Sequence, residues 1–352
     1  MTKQMKRRIQ ALFLIATVPL GLVLGQFVDS KSSSFASHFV EVYLLPIFFI
    51  GVGIELRHEF TTGYFKARAN IAAPLVAAVF GVVFPALLFI AIAGPQGGAW
   101  SIPTATDITL GLAVLSFVSA GFLGRLRARF LALATIDDVI ALLILLIVFS
   151  GKMSWLAGLG TLALLVIFHF AQRLPNGWSV VVLVAWVLAI VAGAESGIQT
   201  SLVGVLIGLL VSNEKHFQWL DSVNGWVVLP LFGFLISVTA GASFAAGVSV
   251  VVLLAILLRP LGKLVGISIG GSLASRTFTG QWDLLPWGAI GLLGGIGFTV
   301  SFLLAKLAYK GEESLYGSAV LGTLGATLIS AIAFLVLAKL RGRRERQGER
   351  SL

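Results

Sequence analysis

Glu55, Asp107, Asp137, Asp138, Arg259 and Lys263 stand inside stretches of sequence that are otherwise almost entirely apolar. Ionisable side chains are costly in such surroundings and mark ion or proton pathways when they occur there. Carboxylate oxygens are hard ligands that accept either a proton or a small hard cation, so the two compete for the same lone pairs. Neighbours on a helix point ~100° apart. Asp137 and Asp138 therefore cannot both face one counter-ion, and a structural pairing with Arg259 would account for only one of them. Thr106 adds a hydroxyl beside Asp107. The chain has no cysteine, which excludes disulfides and thiolate metal sites. Its histidines, His38, His58, His169 and His216, lack metal-ligand spacing.

These groups need elements that carry them deep into an apolar phase. Of the 352 residues, 58% are hydrophobic and 11% charged, against roughly 25% charged in a soluble domain. Apolar runs of about 18 residues or more recur, the length a helix needs to cross a bilayer. Inside lipid the backbone must satisfy its own hydrogen bonds, so the runs read as helices. The expected class is an all-α polytopic membrane protein with about twelve spans, at 9–28, 38–56, 69–93, 100–120, 129–150, 154–172, 178–194, 197–212, 224–241, 246–270, 285–308 and 315–338. Basic residues favour the cytoplasmic side. With the N-terminus inside, nineteen lysines and arginines fall in inside segments and four outside, which predicts cytoplasmic termini at both ends. The net charge of +10 thus records orientation rather than nucleic-acid binding. Residues 341–352 read as a basic cytoplasmic tail on a single membrane domain, 1–352.

Asp138 lies nine residues beyond Arg129, so roughly 13 Å along a helix and near the midplane. Two spans look interrupted. The fourth contains Pro103, which cannot donate a backbone bond, among Ser101, Thr104 and Thr106. The eleventh contains Gly291, Gly294, Gly295 and Gly297, too many glycines for a straight helix. Each interrupted span is the middle member of a triplet, at about 69–150 and 246–340, and the triplets have opposite orientation. Such pairs predict an inverted-repeat transporter, with two discontinuous crossing helices and the ion site between them.

Several motifs resemble the NhaA family of sodium/proton antiporters, itself a known example of inverted repeats. They are Ala105-Thr106-Asp107-Ile108, Ala134-Thr135-Ile136-Asp137-Asp138, Phe48–Arg57, Ser196-Gly197-Ile198-Gln199 and Gly295–Ser301, and the resemblance covers roughly residues 10–340. It implies a secondary active antiporter that exchanges Na+ or Li+ for H+ by alternating access, serving pH and sodium homeostasis in a bacterial inner membrane. Asp138 would be the principal cation ligand and Asp137 its partner in proton exchange. Thr106 and Asp107 would help bind the ion or balance half-helix charges. Glu55, Glu59, Glu214 and His216 fall in the region the family associates with pH response. The sequence departs from the family at three places. Arg259 stands where a lysine typically pairs with the first aspartate, and arginine effectively cannot release a proton. Gln199 replaces a frequent histidine. The short link from Gln26 to Ser37 leaves no room for the β-hairpin used in some members' homodimers.

The partners expected are therefore Na+, Li+, H+ and lipid, with no cofactor and no nucleic acid. A sodium-coupled symporter of an organic anion is the alternative reading. An intramembrane aspartyl protease is disfavoured, because the Tyr-Asp and Gly-x-Gly-Asp contexts it needs are absent.

Overall fold

The computed structural model describes residues 3–28, 30–61, 71–118, 120–149, 154–172, 184, 187–192, 199–212, 218–244, 247–280 and 282–350. Among these residues all regular structure is helical. Five helices are long and apolar enough to cross a membrane: Ala72–Ala93, Leu126–Val148, Trp219–Ser243, Val250–Phe278 and Glu313–Arg341. A sixth span arises if the bent pair Leu284–Gly294 and Thr299–Ala308 is taken as one. Shorter apolar helices occur at Trp155–Ala171 and Thr200–Leu210. Most of the span expected at 178–194 lies outside the described residues. The protein is a multi-pass membrane protein.

The chain divides into two compact units. The first comprises Met1–Ile15, Ala67–Ala141 and Ser243–Leu352, and the second Ala16–Lys66 and Leu142–Ala242. Helix α1 (Lys3–Gly25) contributes to both.

In the second unit, α2 (Ser30–Phe39) runs through a π-helical turn at Val40–Leu44 into α3 (Leu45–Thr61). After α7 (Trp155–Ala171) and α8 (Thr200–Leu210), α9 (Gln218–Val223) passes through a second π-helical turn, Asn224–Val228, into α10 (Leu229–Ser243). Both wide turns have one cause. Each is followed by Leu-Pro, at Leu45-Pro46 and Leu229-Pro230, and proline cannot donate to the carbonyl four residues back. The ladder slips by one residue, so the Leu45 amide bonds to Val40 and that of Leu229 to Asn224. Helices α3 and α8 meet backbone to backbone. A Cβ on Gly53 would strike Val205, one on Gly204 would strike Pro46, and one on Gly208 would strike Ile50. Arg57 of α3 then caps the C-terminal end of α8, donating to the carbonyls of Leu209 and Val211.

The first unit holds α4 (Ala72–Ala93), α5 (Ile108–Leu115), the N-terminal part of α6 (Ala120–Val148), α11 (Val250–Leu257) and α12 (Arg259–Thr279). It also holds α13 (Leu284–Gly294), α14 (Thr299–Ala308) and α15 (Glu313–Arg350). Helices α4 and α12 are packed along a glycine seam. Gly262, Gly266 and Gly270 recur every fourth residue, on one face of α12, and press on Pro85, Phe80 and Val76. Small residues at this spacing let membrane helices approach closely. Phe130 of α6 lies over Gly111 of α5. Arg129 pairs with Asp283 at 2.9 Å and lies 5.6 Å from the centre of the Trp287 ring.

Candidate ion site

Two interrupted helices meet in the first unit. Before α5 the chain makes a 3-10 turn at Ile102–Thr104 and becomes extended at Ala105. Pro103 within the turn and the bond from the Thr104 hydroxyl to the Ser101 carbonyl (2.7 Å) fix where regular helix is lost. The second interruption falls between α13 and α14, which are bent by 58° about residues 295–298. The two breaks bond directly to each other. The Thr106 hydroxyl donates to the Gly294 carbonyl at 2.8 Å, and the Asp107 amide to that of Ile296 at 2.8 Å.

The Asp107 carboxylate serves two helix starts at once. Its Oδ1 accepts from the Leu110 amide (2.9 Å) at the start of α5. Its Oδ2 accepts from the Thr299 amide (3.4 Å) and hydroxyl (3.2 Å) at the start of α14. Each helix N-terminus presents unpaired N–H groups and partial positive charge, so one anion balances both.

The charge partner of Asp137 differs from the sequence reading. The resemblance places Arg259 opposite it. In the structure the cation on Asp137 is Lys263, with Nζ 2.8 Å from Oδ2 and both side chains buried. Arg259 and Lys263 are four residues apart on α12 and share a face, and the register within one turn decides which of them meets the aspartate. The lysine stem lies near Gly81 of α4 and Gly294 of α13, where added Cβ atoms would approach its Cδ. Arg259, fully buried, turns to the breaks instead. It donates to the Ala105 carbonyl and, at 3.0 Å, to the Ser301 hydroxyl. A Cβ at Gly297 would collide with its guanidinium, which is why this position of the break takes glycine.

The doublet is asymmetric. Asp137 is 1% exposed and its Oδ1 accepts no hydrogen bond from the described residues, whereas Asp138 is half-buried. One carboxylate thus keeps an oxygen in the interior that no described residue bonds, while its neighbour is only partly covered by protein. Among the described residues no group of three or more histidine, aspartate or glutamate side chains could hold a metal ion.

Glu55 and Glu59 belong to α3 in the second unit, Glu55 exposed and Glu59 buried. Glu214 and His216 lie outside the described residues. Sequence reasoning missed Thr299, Ser301 and Thr327, which bond to Asp107, Arg259 and Gly297. Hydroxyls are common in membrane helices. Thr299 and Ser301 fall within the Gly295–Ser301 motif, and the spacing of Thr323, Thr327 and Ser330 along one face of α15 is the signal that sets Thr327 apart.

Known proteins resemble this chain along most of its length. A curated antiporter of Clavibacter michiganensis, named Na(+)/H(+) antiporter NhaA 2, is 34% identical over 342 residues, covering 88% of this chain and 80% of its own. The Na(+)/H(+) antiporter NhaA of Streptomyces avermitilis is 33% identical, covering 95% of this chain and 74% of its own. The structure of the sodium proton antiporter MjNhaP1 from Methanocaldococcus jannaschii shares the fold, with a TM-score of 0.55 and 18% identity over 96% of this chain and 99% of that one. The model of the family described as Na+/H+ antiporter 1 matches residues 10–337. This chain is therefore a member of the Na+/H+ antiporter 1 family.

Proposed function

We propose that this protein exchanges Na+ or Li+ for H+ across the bacterial inner membrane, without chemical transformation, by competition for the oxygens of Asp137 and Asp138. It has about twelve spans and cytoplasmic termini. The interrupted helices form a crossing between two inverted repeats, 69–150 and 246–340. The observation that carries this reading is the buried Lys263–Asp137 pair beside a half-buried Asp138. In the empty state the ammonium neutralises Asp137. A cation arriving at Asp138 adds positive charge beside the Lys263–Asp137 pair, and protons compete with the cation for the doublet's oxygens. Lysine can surrender its proton when buried, which arginine effectively cannot. With Lys263 in the pair, proton release from the cationic partner is chemically open. If only the loaded doublet switches access, exchange follows from competition alone.

Asp138→Asn tests the site. In everted vesicles the variant should accumulate to the wild-type level yet give no sodium-induced recovery of a ΔpH dye. Normal recovery would remove Asp138 from the mechanism. Wild-type uptake of a labelled organic anion driven by sodium, with no proton movement, would establish symport instead.

A further inference from the structure

The interruption between α13 and α14 is closed by a single hydroxyl from α15. Thr327 Oγ1 donates to the Gly297 carbonyl at 2.6 Å and accepts from the Gly297 amide at 3.2 Å. An unwound residue within a membrane protein loses its helical partners, and protein groups must replace them. Here one side chain, thirty residues further along the chain, replaces both. Against Gly297 lies the Arg259 guanidinium, which fills the space a Cβ would need and reaches on to Ala105 and Ser301. Thr323, one turn earlier on α15, provides a contrast. Its hydroxyl donates to the Ala319 carbonyl of its own helix at 2.8 Å, the ordinary bond of a helical threonine.

We propose that Thr327 is a positioning residue for cation exchange. By holding both polar groups of Gly297 while Arg259 walls its Cα, it fixes the conformation of residues 294–298. That stretch supplies the Gly294 and Ile296 carbonyls to which Thr106 and Asp107 are attached. Loosening it lets those bonds lengthen and degrades cation affinity more than turnover. The inference rests on the exchange function proposed above, so its test includes a measurement that does not depend on transport.

Thr327→Val, Thr327→Ser and Thr323→Val are compared with wild type in two assays. In everted vesicles, Thr327→Val should raise the apparent KM for Na+ about tenfold, with the maximal rate within twofold. Thr327→Ser and Thr323→Val should match wild type. In hydrogen–deuterium exchange on the purified protein, the peptide containing Gly297 should exchange about tenfold faster in Thr327→Val alone. Unchanged KM and unchanged exchange in Thr327→Val would overturn the proposal, as would an equal effect of Thr323→Val. If Thr327→Val is not recovered folded, Thr327→Ala replaces it. Failure of both to fold assigns Thr327 to folding and also overturns the proposal. A wild-type protein that moves no protons in response to Na+ would refute the exchange function, while the deuterium measurement would still decide whether the clamp exists.

Discussion

Two helix pairs, one in each unit, solve the same packing problem and differ in what they carry. In the second unit α3 and α8 meet through Gly53, Gly204 and Gly208, and in the first α4 and α12 meet through Gly262, Gly266 and Gly270. Both seams exploit missing side chains to bring backbones together. Beside the α3–α8 seam Arg57 caps a helix end. The α4–α12 seam delivers Arg259 and Lys263, each 0% exposed, to carbonyl and carboxylate partners on other segments. Of the five buried charged residues described, only Glu59 belongs to the second unit. Close packing is thus common to both units, and what distinguishes the first is interrupted helix with charge held against it.

Substitutions can break this contrast, and the largest effect is expected at the Asp137–Lys263 pair. Lys263→Met leaves Asp137 in the interior without its cation, and losing one member of a buried pair costs about 3–5 kcal/mol. Detergent-solubilised protein should show a large drop in melting temperature. Adding Asp137→Leu should restore much of it while leaving exchange abolished. A double variant no more stable than Lys263→Met would mean the pair is not coupled as the geometry indicates.

Next come the glycines. Gly297→Ala collides with the Arg259 guanidinium, and Gly208→Ala with the α3 backbone. Overpacking costs about 1–3 kcal/mol in either place. Only Gly297→Ala should also raise the sodium concentration needed for half-maximal exchange. Equal transport defects per folded molecule would erase the distinction between the units.

A smaller effect is expected for Arg259→Lys. An ammonium keeps the charge but not the planar fork that reaches Ala105 and Ser301 together. Losing one hydrogen bond costs about 1 kcal/mol, so exchange should persist with a displaced pH profile, measured as dye recovery across a pH series. An unchanged profile would mean the fork is dispensable. Smallest is Pro230→Ala, which restores a donor at the second π-helical turn. It should leave sodium affinity within twofold, and a larger change in the same vesicle assay would give the second unit a direct part in binding.

The sequence announced the site more clearly than its wiring. Asp107, Asp137 and Asp138 stand out because charge is expensive in apolar surroundings, and Pro103 and the glycine cluster at 291–297 mark where helices fail. The identity of the cation on Asp137 was not legible. Arg259 and Lys263 share a helical face, and only the register of α12 against α6 separates them. Thr299, Ser301 and Thr327 escaped notice because a membrane hydroxyl is usually bonded to its own helix. The π-helical turns before Pro46 and Pro230 were also unforeseen, since proline in a membrane helix has several ways to be accommodated.

The partners of the break at 105–107 have a consequence for biosynthesis. Ala105, Thr106 and Asp107 are satisfied by Arg259, Gly294, Ile296 and Thr299, with Ser301 bracing the arginine. None of these exists until the ribosome has translated most of the chain. Chains emerge N-terminus first, so the first triplet must wait in the bilayer with its gap unsealed. Truncation before residue 301 should therefore leave a nascent product that quality-control proteases recognise, however many of its helices have already inserted.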